Sequence, residues 1–137
     1  MARTLCGDRR MGPGRRAGNR RGMNEAPYWP DAGDLVWTDF DPTLGREQAG
    51  RRPALVVSPS DFARNTGFVI LCPITSKVRP FPTSVVLPDD SPVRGEILLS
   101  NLRSLDMRAR TIRFAGYRIP ERTAQAVREK LEALIPV

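Results

Sequence analysis

Prolines and glycines, 13 and 11 of them, cut this 137-residue chain into apolar runs too short for anything but strands until its C-terminal end. Leu35–Phe40 reads as a strand with a polar terminus at Asp39, Asp41 and Pro42. Residues 42–52 are polar, carry two glycines and read as a long loop. Ala54–Val57 is a short strand, 60–66 a short helix ending at Gly67, and Phe68–Cys72 a buried strand. Thr83–Leu87 and Ile97–Leu99 add two more strands, and Thr111–Ile119 alternates with one slip at Gly116, the mark of a bulge. Only then does the period change. Ala124, Val127, Leu131 and Leu134, with Ile135 beside them, form one stripe on a helix that starts near Pro120 and stops at Pro136. Short strands closed by one amphipathic helix predict a mainly β fold, a small β-barrel with a C-terminal helix.

Charge divides the chain in two. Residues 1–22 hold seven arginines against Asp8, and so carry +6 of the formal +7. This Arg/Gly-rich arm has too little apolar surface to offset the entropy of ordering and is expected to be disordered. It reads either as a basic tail adding non-specific nucleic-acid affinity or as a leader of no consequence. Residues 23–137, which open on Met23, form the expected domain and are nearly neutral.

Histidine is absent. That removes His acid/base pairs, Ser–His and Cys–His nucleophiles and His-ligated metals. Cys6 and Cys72 form neither a disulfide framework nor a zinc site. No carboxylate cage has metal spacing, so the expected cofactor and metal content is none. No apolar run reaches 18 residues and no secretory leader is evident, so a cytoplasmic protein without membrane contact is expected.

Two stretches concentrate chemistry. The loop DFDPTLGREQAGRRP, Asp39 to Pro53, brings together Arg46, Glu47, Gln48, Arg51 and Arg52. Adjacent guanidiniums suit phosphate, and Gln48 can hydrogen-bond base edges; a solvated loop with surface ion pairs explains the composition equally well. Then the apolar strand ending at Cys72 gives way to Pro73-Ile74-Thr75-Ser76-Lys77. Those hydroxyls can donate to a phosphate or satisfy the loose backbone of their own strand end.

With GDLVWTDFDPTLGREQAGRRPALVVSP, then LCPITSK, then LRSLDMRAR, the chain resembles the MazF/PemK toxins of bacterial toxin–antitoxin modules, in order, from about Gly33 to the end. The resemblance implies an SH3-like small β-barrel working as a homodimer. It implies metal-independent cleavage of single-stranded RNA (mRNA) at short sequences, through 2′-OH attack to give 2′,3′-cyclic phosphate and 5′-OH ends. It implies a cognate antitoxin with an acidic tail, and a toxin–antitoxin complex that binds operator DNA. It places the catalytic arginine on Arg52, the strand-end threonine on Thr75 and the loop Glu-Gln on Glu47 and Gln48. Ser104–Arg108 corresponds to the dimer and groove region. Glu47 is the candidate proton acceptor, because arginine stays protonated. Arg46, Gln48, Arg51, Ser76, Lys77 and Asn101 are candidate RNA contacts. Many members carry Asp-Gln in the stretch around Asn101-Leu102. Its absence keeps open a non-catalytic nucleic-acid- or antitoxin-binding module on the same fold; a third reading, a gyrase-poisoning toxin on that fold, is opposed by the Arg52–Thr75 pairing, because poisoning through a protein contact needs no phosphate-clamping arginine.

Overall fold

The computed structural model describes residues 27–40, 51–79 and 81–137. The arm 1–22, Cys6 and the loop residues Arg46, Glu47 and Gln48 lie outside them. Among the described residues, seven strands and two α-helices follow in chain order: β1 (Asp34–Asp39), β2 (Arg51–Val56), α1 (Ser60–Thr66), β3 (Phe68–Thr75), β4 (Ser84–Val86), β5 (Glu96–Leu98), β6 (Arg103–Asp106), β7 (Ile112–Arg118) and α2 (Glu121–Leu134). All strand pairs are antiparallel. The sheet runs β4-β5-β3-β2-β1-β7, with β6 also on β3. Among the described residues β7 does not pair with β4, so the expected barrel is an open, curled sheet.

β3 organises this sheet. One of its edges pairs with β2 through Leu71–Pro73. The other pairs with β6 over Phe68–Leu71 and with β5 over Ile74–Thr75. Between these two partners the chain makes a 3-10 turn, Leu99–Asn101. Pro73 falls in that gap, where its missing N–H costs no ladder bond. Neither the turn nor β6 was expected from the sequence. Arg103-Ser104-Leu105-Asp106 has one apolar residue in four, and β3 recruits it as a strand through backbone bonds that do not depend on side-chain pattern.

Alternation sends side chains to two faces with separate cores. Leu35, Leu55, Cys72, Ile74, Ile97 and Leu99 cluster with Val127 of α2, and Ala124 and Leu131 pack beside it. The helix stripe therefore covers this face as expected, but its end does not: Leu134 and Ile135 are exposed. On the opposite face Val36, Ala54, Val56, Val69, Leu71 and Leu105 pack with Phe40. α1 ends as the sequence suggests, with Gly67 at φ 80° and its N–H on the Ala63 carbonyl. Gly116, at φ 83°, sits at the slip in β7.

The far end of β1 is tied down by a buried carboxylate. Asp34 accepts from the Tyr28 hydroxyl at 2.7 Å and the Asp31 N–H at 3.1 Å, and pairs with Arg118. Burial still pushes its pKa upward, and the Tyr28 hydroxyl beside it is raised as well. Cys72 is fully buried, and desolvation pushes its thiol up to about 12, so it is an inert core residue.

A second buried carboxylate fixes the other end. Glu96 is 1% exposed. It accepts from the Ser84 hydroxyl at 2.5 Å and from the Arg79 N–H at 2.8 Å. Lys130 of α2 donates to the Ser84 carbonyl at 3.0 Å. Glu96 thereby joins β5, β4, the segment after β3 and, through Ser84, the helix. The Ser84 hydroxyl, then the Arg79 N–H, hold its pKa below the ordinary carboxylate range. A depressed carboxylate stabilises the fold above its unfolded pKa, and the contribution disappears as pH falls through the folded value. Glu96→Gln is expected to lower the melting temperature at pH 7, with the difference from wild type narrowing below pH ~4. Melting curves of both proteins across pH 3 to 7 check this; a constant gap would show that ionisation of Glu96 contributes nothing.

Candidate active site

Arg52 and Thr75 come together through strand register. The β2–β3 pairs are Ala54–Pro73, Leu55–Cys72 and Val56–Leu71. Continued by two residues, that register sets Arg52 opposite Thr75. The ladder itself stops at Ala54, because Pro53 has no N–H to donate toward β3. Arg52 and Thr75 thus stand on neighbouring strand ends that hydrogen bonds no longer join. Both follow the alternation of Ala54, Val56 and Leu71, so both side chains belong to the face opposite α2.

Each is held by its own neighbours. Arg52 is exposed and pairs across β1 with Thr38. Thr38 is fully buried, and its hydroxyl has no hydrogen-bond partner among the described residues. Thr75 pairs with Glu96 on β5. Its hydroxyl accepts from the Lys77 N–H at 3.2 Å, a local turn that presents exposed Ser76 and Lys77 just beyond the strand. Gly95 packs against this strand end from the other side. A Cβ there would lie 2.3 Å from the Thr75 carbonyl oxygen, so only glycine fits. The Glu96 carboxylate holds the Arg79 N–H four residues past Thr75. The turn bearing Ser76 and Lys77 is therefore anchored at both ends.

The remaining sequence candidates divide. Asn101 closes the 3-10 turn beside the Cys72–Pro73 part of β3 and is exposed, near the Thr75 end. Arg51 precedes Arg52 and therefore points to the α2 face, away from Thr75. Glu47, Gln48 and Arg46 lie outside the described residues.

Two arginines join the site that sequence reasoning missed. Arg103 is cross-strand to Leu71, on the face of Arg52 and Thr75, and its guanidinium lies over the Phe40 ring at 5.2 Å. Arg110 donates to the carbonyls of Asp39 at 3.0 Å and Phe40 at 2.7 Å. It caps the C-terminal end of β1. Glu96 was missed too; its signal is an acid inside the otherwise apolar run Gly95–Leu99. The arrangement is a set of cations and hydroxyls on a rigid strand end, suited to a phosphodiester. Among the described residues no three His, Cys, Asp or Glu side chains are grouped to hold a metal, and no helix is long and apolar enough to cross a membrane.

Comparison with known proteins gives this geometry a family. Residues 31–135 match the model of the PemK-like, MazF-like toxin of type II toxin-antitoxin system. The endoribonuclease toxin MazF of Escherichia coli K12 is 41% identical over 108 residues, spanning 79% of this chain and 96% of that protein. MazF from Deinococcus radiodurans superposes with a TM-score of 0.71 at 42% identity, over 81% of this chain and all of that one. A MazE–MazF complex from the same organism gives 0.72 at 41% identity, over 80% and 99% of the two chains. The fold and these matches agree: this chain belongs to the PemK/MazF toxin family.

Proposed function

We propose that this protein is an endoribonuclease toxin that cuts single-stranded RNA at short sequences and is neutralised by a cognate antitoxin. The observation that carries this reading is the register that brings Arg52 opposite Thr75, at the point where the β2–β3 ladder ends. Relatives named as endoribonucleases, and a relative solved with MazE, support it.

The reaction uses the substrate's own nucleophile. The ribose 2′-oxygen attacks the adjacent phosphorus, the P–O5′ bond breaks, and a 2′,3′-cyclic phosphate and a 5′-OH end result. The 2′-OH proton goes to a base, which we assign to Glu47, and the departing 5′-oxygen takes up a proton. Negative charge grows on the non-bridging oxygens. Arg52 and the Thr75 hydroxyl stabilise it from fixed positions, so no reorganisation is needed during the reaction. Arg103, Lys77, Ser76 and Asn101 contact the strand around the cut, with Arg46, Gln48 and Arg51 on the loop side. An acidic antitoxin tail competes for the same cations. The working unit is a homodimer, a reading that exposed Leu134 and Ile135 at the end of α2 favour; sedimentation as a monomer at micromolar concentration would contradict it.

Arg52→Ala is expected to lower cleavage of a short single-stranded RNA about a hundredfold, from a loss of about 3 kcal/mol of transition-state stabilisation, with an unchanged melting temperature. Arg52→Lys is expected to fail too, because an ammonium lacks the two-point fork. A variant within about threefold of wild type, against the loss expected of such a donor, removes Arg52 from the mechanism.

Purified protein is expected to cut RNA in EDTA and to leave cyclic phosphate and 5′-OH ends. End-group analysis of the products checks this. Activity that vanishes in EDTA and returns with magnesium, or 5′-phosphate ends, rejects the mechanism. Folded protein that leaves all RNAs intact rejects the enzyme.

A further inference from the structure

The sheet has an opening on its other face as well. Trp37, Arg51, Arg113, Phe114 and Ala115 line an open groove of about 450 Å³. Register explains the cluster. Trp37 pairs with Arg113 on β7 and with Pro53 on β2. Directly paired residues share a face with Cβ atoms about 5 Å apart. Arg51, two residues from Pro53 along β2, shares that face on the diagonal. Trp37 is two residues beyond Leu35, which belongs to the core under α2, and no α2 residue lines the groove.

The chemistry is that of a flat ring between two cations. Trp37 is half-buried, whereas Arg51 and Arg113 are exposed. Asp39 is the cross-strand partner of Arg51 and shares the face, so two guanidiniums meet one carboxylate. Among the described residues neither guanidinium is in an ion pair. We propose that this groove binds one nucleotide of single-stranded RNA, its base stacked on the Trp37 indole and a flanking phosphate between Arg51 and Arg113. The inference rests on the RNA-cleaving reading above and extends the bound strand beyond Arg52 and Thr75. Arg51 and Arg52 are successive residues on opposite faces, so a strand held at Arg52 passes round the end of β2 to reach Arg51. An acidic peptide would use the arginines but leave the indole face without a planar partner. Every base has a π-face, so the groove adds affinity without reading sequence.

The test measures binding of two labelled probes by fluorescence anisotropy. One is a 2′-O-methyl oligoribonucleotide, which has no 2′-OH proton and is not cut. The other is an abasic oligomer with the same number of phosphates. Trp37→Ala is expected to weaken the base-bearing probe about fivefold or more and to leave the abasic probe nearly unchanged. Trp37→Phe, which keeps a ring and guards against loss of packing, should restore most of the binding. Arg113→Ala should weaken both probes and reduce the salt slope by about 0.7. Equal loss on both probes with Trp37→Ala, no loss at all, or an unchanged slope with Arg113→Ala overturns the proposal. So does an acidic peptide that loses affinity on these substitutions while RNA binding stays the same. If wild type binds neither probe, the RNA reading itself falls and the groove with it. If wild type binds and the variants match it, only the groove falls.

Discussion

Eight residues of β3 hold three other strands in place, and the candidate site is defined by where that strand ends. Val69, Leu71, Cys72 and Ile74 are each at most 4% exposed. Burying side chains of this kind contributes roughly 2 kcal/mol each. Moving the strand end would expose part of that surface and break ladders on both edges. The site thus combines two properties that are hard to obtain together. Its walls are rigid because β3 is buried, while the space between Arg52 and Thr75 is free of ladder bonds because Pro53 has no N–H to give to β3. Preorganised donors aimed at a developing charge need such a frame.

The strands with an apolar pattern were legible in the sequence, and so was α1 with its glycine stop. β6 was not, because a strand recruited through backbone pairing needs no pattern of its own. Nor was the open sheet, since closure depends on whether β7 meets β4, and local periodicity does not encode that contact. For the site, Thr75 was legible as a hydroxyl at a strand end and Arg52 as a cation of the long loop, although Arg52 in fact lies in β2; the family resemblance tied them together. Their opposition is a matter of register, which only the pairing of β2 with β3 fixes. Glu96 was missed for a different reason, although an acid in an apolar run marks it. A glutamate in a short apolar run reads as a solvent-facing residue, and its value lies in Ser84 and Arg79, 12 and 17 positions away.

Net charge says little about where this domain is basic; placement says more. β1 runs antiparallel to β2 and β7, so Asp39, Arg51 and Ile112 share one end of the sheet. Arg51, Arg52, Arg110 and Arg113 gather there, with Asp39 their one acidic neighbour on these strands. At the opposite end Asp31 and Asp34 engage Arg118. A nearly neutral domain therefore presents a cationic end, and such a local field concentrates a polyanion without a high overall charge.

Strand geometry then decides how adjacent arginines divide the work. In a helix, neighbours in sequence diverge by about 100° and two successive arginines make one diffuse patch. In a strand they point to opposite faces. Arg52 joins Thr75 on one face and Arg51 joins Trp37 on the other. The hydroxyl beside the first suits the reacting phosphate, whereas the indole beside the second suits an unreacting base. A two-residue basic sequence that composition would score as a single charge cluster is divided between two chemically distinct surroundings. The two arginines are joined by one peptide unit, and so are held at a fixed separation along whatever strand wraps the end of β2.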